Sequence, residues 1–217
     1  MQSRALALGS SVGQKLLAGV SGLVLVGWVC LHALGSLSAL SGARTMDGYA
    51  ELLRRTAGGL PVWGERILLS AALAVHISCV ARLAWRARRA RPFGYRGQRS
   101  LRSGLAAAWL GLGGLLLALF LAHHVLQLEL GVGLPGFVPG DVYANLVRVC
   151  AQPLLGASYV LAAILLGAHV AHGLRAALVS LGSPARRGTE RAALALGVAL
   201  ALAFAAVPLA IALGVLS

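Results

Sequence analysis

Residues 13–40 read GQKLLAGVSGLVLVGWVCLHALGSLSAL, and after Lys15 no charged side chain interrupts them. A helix needs about 20 apolar residues to cross a bilayer, and this run exceeds that. It is also longer than the roughly 7–15 apolar residues of a signal peptide. The segment is therefore expected to stay in the protein as a helix, even though Arg4 and Lys15 precede its apolar part. Leu and Ala dominate, and alternation with period two is missing. Helices rather than barrel strands must then satisfy the backbone. His32 stands near the end of this run.

Four further segments of the same kind follow, at approximately 62–85, 105–130, 146–179 and 192–216. The expected fold is an all-α integral membrane protein, a five-transmembrane-helix bundle in which residues 1–217 form a single transmembrane domain. Composition agrees: 59% of the 217 residues are hydrophobic and 12% are charged, against about 25% charged in a soluble domain. The mean hydropathy of +0.83 suits lipid as solvent. No linker, internal repeat or second domain is visible, so any soluble chemistry would have to come from a partner.

The net charge of +13 resides in short clusters between apolar runs. Nucleic-acid readers instead carry a basic face with interleaved aromatics on a soluble fold. With 6% aromatics, no nucleic-acid partner is expected. The clusters set topology. Between the second and third spans stand Arg82, Arg86, Arg88, Arg89, Arg91, Arg96, Arg99 and Arg102, with no acid among them. Between the fourth and fifth stand Arg175, Arg186, Arg187 and Arg191 against Glu190. The opposite connections, residues 41–61 and 131–147, mix Arg44, Arg54 and Arg55 with Asp47, Glu51 and Asp141. By the positive-inside rule, the N-terminus is expected in the cytoplasm and the C-terminus outside.

Six histidines, His32, His76, His123, His124, His169 and His172, fall within the expected spans and are spread over the first four. Ionisable groups at such depth are costly and usually mark a function. At about 1.5 Å of rise per residue, His32 lies roughly 27 Å and His124 roughly 30 Å above the cytoplasmic helix ends. His76 and His169 both lie roughly 15 Å up. Two layers result, His32 with His124 and His76 with His169. Stacked bis-histidine haems require that arrangement, each iron taking one imidazole from either side. Small residues beside the candidates, Gly35, Ser36, Ala72 and Gly173, would admit a flat macrocycle or, equally, close helix packing. Zinc would want ligands converging on one point. The acids Asp47, Glu51, Glu65, Glu129, Asp141 and Glu190 sit mainly in or near loops instead. Cys30, Cys79 and Cys150 lie in apolar stretches without paired spacing and read as small buried hydrophobes.

The order of several short motifs resembles the cytochrome b subunit of the succinate dehydrogenase/fumarate reductase b558 type. These are Ser11-Val-Gly-Gln-Lys15, Ser21-Gly22, His32-Ala-Leu-Gly-Ser36, Asp47-Gly-Tyr49-Ala-Glu-Leu-Leu53, and Glu65 and His76 in the second span. His124-Val-Leu-Gln, Asp141-Val-Tyr143, His169-Val-Ala-His172-Gly173 and Ser180-Leu-Gly182 complete the series. The likeness covers most of the first four spans. It implies a diheme membrane anchor of succinate:quinone oxidoreductase (complex II) in a bacterial cytoplasmic (inner) membrane. His32 and His124 would ligate a distal haem b, and His76 and His169 a proximal one. Implied partners are a flavoprotein subunit and an iron–sulfur subunit on the cytoplasmic side, membrane lipid, and a quinone, with menaquinone favoured. The dicarboxylate site would be on a partner subunit.

Of the adjacent histidines, His124 matches the family position, and His123, about 100° away around the helix, is a candidate for a quinone site. His172 is a candidate for a haem propionate. Glu65 is a candidate proton-handling residue at an outer quinone site, or else a helix-capping carboxylate. Two departures stand out: Ser36 replaces the usual Asn, and Gly167 stands where some fumarate-reducing members carry an acid. The competing readings are a nitrate-reductase gamma-like diheme cytochrome, whose ligands should fall on two helices, and a haem-free transporter or structural membrane protein.

Overall fold

The computed structural model describes residues 9–90, 99–184 and 186–217, and the side chains of these except 99–109. Arg4, Arg91 and Arg96, and the side chains of Arg99 and Arg102, lie outside the described residues. Helix α1 (Ser11–Leu37) runs into a 3-10 turn (Ser38–Ser41), followed by α2 (Ala43–Arg55) and a second turn (Thr56–Gly59). Then come α3 (Leu60–Arg89), α4 (Arg99–Leu128), α5 (Val142–Cys150), α6 (Pro153–Ser180) and α7 (Arg187–Ala212). Among the described residues there is no strand. Five helical stretches, those of α1, α3, α4, α6 and α7, are long and apolar enough to cross a membrane. The chain is an all-α, multi-pass membrane protein.

Local chemistry sets the helix ends. Ser10 caps α1 by accepting from the Gly13 amide, and Asp141 caps α5 by accepting from the Ala144 amide at 3.0 Å. Pro61 and Pro153 occupy the first turns of α3 and α6, where proline's missing N–H costs nothing. Three expectations need correction. The fourth span does not run unbroken from 146: the helix stops at Cys150 and restarts at Pro153. Gln152 is extended (φ −79°, ψ 117°) because the residue before a proline is pushed out of the helical region. Residues 41–61 are not mainly a loop but hold the amphipathic helix α2, which packs on α5 and α3. The fifth span ends at Ala212 rather than 216, where Gly214 takes φ +72°.

Helix α1 is central, packing on α3, α6 and α7, and α6 packs in turn on α4 and α7. The α6–α7 seam is the tightest. A Cβ on Gly167 would lie 2.5 Å from the carbonyl oxygen of Gly197, so the two backbones touch. Lipid supplies no hydrophobic drive between helices, and such small-residue approaches replace it. This contact is also the physical reason for Gly167: an acid at that position would have to occupy the backbone of α7.

Interactions between elements define two ends. At one, Arg86 donates to the Gly9 carbonyl (3.0 Å), Gly19 of α1 abuts Ala177 of α6, and Arg175 pairs with Glu190 (2.8 Å). At the other, Asp47 accepts from the Tyr143 amide (2.9 Å) and Arg66 pairs with Glu129. A buried cluster of Ala39, Leu134, Tyr143, Leu146, Val149 and Cys150 closes that second end.

Candidate functional site: two histidine pairs in two layers

His76 on α3 and His169 on α6 face each other with ring centroids 6.5 Å apart. His32 on α1 and His124 on α4 do so at 6.1 Å. Each member of a pair is on a different helix, and the four helices are all different. Among the described residues, neither α1 with α4 nor α3 with α6 forms a packed helix pair. The histidines therefore reach toward each other across gaps rather than across a helix seam.

Three helices independently give the depth between the layers. On α1, Gly22 lies against the His76 ring, 3.2 Å from a built Cβ to Cε1, and His32 is ten residues further on. On α4, Gly114 lies against the His169 ring at the same 3.2 Å, and His124 is again ten residues further on. On α6, Tyr159 touches His124 (centroids 5.8 Å), ten residues before His169. Ten residues of helix rise about 15 Å. The His76–His169 layer lies nearer the end bearing Arg175 and Arg86, the His32–His124 layer nearer the end bearing Glu129.

The two layers differ in their surroundings. His76 Nδ1 lies 3.1 Å from the carbonyl oxygen of Ala18. A carbonyl can only accept, so Nδ1 carries the proton of this contact, and Nε2 is the nitrogen that offers a lone pair in the matching neutral tautomer. Ser21 Oγ is 3.5 Å away, its hydroxyl donating to Leu17. Aromatic rings enclose the other layer. Trp28 stacks on His32 (4.6 Å, 12° between planes), Phe204 lies 5.7 Å from it, and Phe120 and Tyr159 flank His124. Tyr159 is 9% exposed, and its hydroxyl has no hydrogen-bond partner among the described residues.

The remaining candidates lie around these layers. Glu65 is half-buried in the second turn of α3, near enough to His32 for their charges to interact. It caps no helix, since α3 starts at an uncapped Gly59. His123 is half-buried beside His124, and no ring contact, ion pair or hydrogen bond joins it to Glu65. His172 is exposed, with Nδ1 2.9 Å from the Ala168 carbonyl of its own helix. Of the small residues expected to flank a macrocycle, Gly35 faces Tyr49 instead and Gly173 faces nothing within 4 Å. Gly22 and Gly114 are the glycines that meet the imidazoles of His76 and His169. Each stands ten residues before a histidine, one on the first span and one on the third.

The donors fit a haem iron. Two imidazole–metal bonds of about 2.0–2.1 Å set end to end put ring centroids about 6 Å apart, the separation seen in both pairs. Among the described residues no three or more His, Cys, Asp or Glu side chains converge as a metal cluster. The donors come two at a time, the number that a macrocycle leaves to the protein. Among the described residues the buried Nδ1 atoms of His124 and His169 have no hydrogen-bond partner, so unlike His76 neither ring is oriented through that atom.

No protein-family model, curated protein or solved structure matches this chain.

Proposed function

We propose that the protein is a diheme cytochrome b, the membrane-anchor subunit of a succinate:quinone oxidoreductase in a bacterial cytoplasmic membrane. The observation that carries this reading is the pairing itself: four histidines on four helices, in two layers about 15 Å apart by helix rise. His76 and His169 would hold the proximal haem b, and His32 and His124 the distal one. A bound b haem supplies reversible one-electron chemistry.

The chain's own residues do the rest. The Ala18 carbonyl holds the His76 ring by its Nδ1 proton, leaving Nε2 as the nitrogen able to bind a metal and raising the ring's basicity. Gly22 and Gly114 leave room beside the rings of His76 and His169. Trp28, Phe120, Tyr159 and Phe204 keep water from the outer layer, and the resulting low dielectric disfavours added charge there. Quinone reduction consumes two protons as well as two electrons. Glu65, half-buried beside the outer layer and making no ion pair among the described residues, would be the carboxyl group that exchanges them, with His123 as a second candidate. His172 stands at the opposite margin, where it can meet a propionate of the proximal haem. The quinone favoured by the family resemblance is menaquinone.

The arginine-rich end carries Arg82, Arg86, Arg88 and Arg89 on α3 and Arg186, Arg187 and Arg191 around the start of α7. It faces the cytoplasm in this reading, and there the flavoprotein and iron–sulfur subunits would dock against the α3 arginines. Affinity purification of the tagged chain from its native membranes tests the assignment. Co-purification of a flavin- and iron–sulfur-containing complex that reduces quinone with succinate supports it. A haem-containing chain without succinate activity moves it to another quinone-linked diheme cytochrome. A chain with no Soret band leaves a transporter or structural membrane protein.

A further inference from the structure

The outward face of α7 has features that neither the histidine pairs nor helix packing accounts for. Leu194, Val198 and Leu202 project from it, 59%, 50% and 67% exposed. The small side chains of Ala195 and Ala199 between them leave an open apolar groove of about 490 Å³ that begins at Arg191. Adjoining it at Arg191 and Leu194 is a smaller space of about 340 Å³ lined by Arg187, Glu190, Arg191 and Leu194. Glu190 is engaged by Arg175. Arg187 and Arg191, one turn apart and exposed, make no ion pair among the described residues. No side chain caps the start of α7, so its first-turn amides also face outward as donors.

We propose that this face binds one anionic phospholipid, its phosphate held by Arg187 and Arg191 at the start of α7 and one acyl chain lying in the Ala195–Ala199 groove. The charge order favours a lipid over a soluble acidic partner. The cations stand only at the head of the groove, and the groove below them descends along a membrane-spanning helix, where no soluble protein can follow. A basic side chain near the headgroup layer contributes about 1 kcal/mol toward an anionic lipid, which is about fivefold in affinity per arginine. This assignment is independent of the haem reading.

The test uses the full chain purified in neutral detergent, titrated with phosphatidylglycerol or phosphatidylcholine, with bound lipid counted by native mass spectrometry. The expected result is a preference for phosphatidylglycerol that falls about 25-fold in the Arg187→Gln/Arg191→Gln variant, two fivefold steps. Ala195→Leu/Ala199→Leu, which fills the groove, should weaken retention with the arginines intact. The Arg88→Gln/Arg89→Gln variant, neutralised at the same end of the bundle, should retain lipid like the wild type. Equal loss in that control would overturn the site in favour of diffuse charge. Undiminished retention by the groove-filled variant would overturn the acyl-chain seat. Displacement of the lipid by glycerol 3-phosphate alone would reassign the arginines to a free phosphate.

Discussion

Replacing Gly167 by alanine adds one methyl group at the place where α6 and α7 touch. A Cβ there lies 2.5 Å from the Gly197 carbonyl oxygen and 2.8 Å from the Ala201 Cβ. Neither atom is the end of a flexible side chain, so the helices must separate locally by most of an ångström. Forced overpacking costs about 1–3 kcal/mol. For a chain of this size, about 2 kcal/mol lowers the unfolding midpoint by roughly 4–8 °C. Gly173→Ala, on the same helix, has nothing within 4 Å of the new methyl. It should raise stability by about 0.4–1 kcal/mol through the entropy of the unfolded chain. The assay is thermal unfolding in one detergent, followed by circular dichroism, for both variants, Gly197→Ala and the 167/197 double. Gly167 and Gly197 share one contact, so the double variant should lose less than the sum of the singles. A Gly167→Ala midpoint at or above the wild-type value would refute the close seam.

Three further outcomes follow from named contacts. Gly114→Val should crowd the His169 ring, which already stands 3.2 Å from a Cβ at that position, and shift or abolish the signal of one b haem only. A spectrum identical to wild type would separate Gly114 from the site. Asp47→Ala removes the acceptor of the Tyr143 amide and should cost about 1–3 kcal/mol, read as a lower unfolding midpoint; an unchanged midpoint would contradict that bond. Cys150 lies outside the membrane-spanning helices, and burial pushes its thiol up to about 12 from an ordinary 9.0. The folded state therefore holds its proton more tightly than the unfolded chain. The stability this confers is complete below about pH 9 and is lost as pH climbs toward 12. Maleimide should leave Cys150 unlabelled at pH 8 until the protein is denatured, and rapid native labelling would overturn this.

The five spans were legible because length and apolarity alone define them, as in the uninterrupted run from Leu16 to Leu40. The facing of His32 with His124 and of His76 with His169 followed from helix rise, which is rigid enough to carry depth across a bundle. Short-range backbone chemistry was less visible. Pro153 signalled the break after Cys150, yet the hydrophobicity continues through it and masks the boundary. Helix α2 was hidden because its charges, Arg44, Asp47, Glu51, Arg54 and Arg55, read as a connection rather than as one face of an amphipathic helix. The neighbours of the imidazoles depend on rotation about each helix axis. That is why Trp28, Phe120, Tyr159 and Phe204 became evident only in three dimensions, and why Gly22 and Gly114, rather than Gly35 and Gly173, lie against the imidazole rings.

The central claim is that each histidine pair holds one haem. The most direct measurement is a reduced-minus-oxidised spectrum with haem quantitation on the purified wild type and on His32→Ala, His124→Ala, His76→Ala and His169→Ala. The account predicts two b haems per chain. Loss of His32 or His124 should remove one of them, and loss of His76 or His169 the other. A wild-type protein without haem, or His32 and His76 variants that lose the same haem, would contradict it.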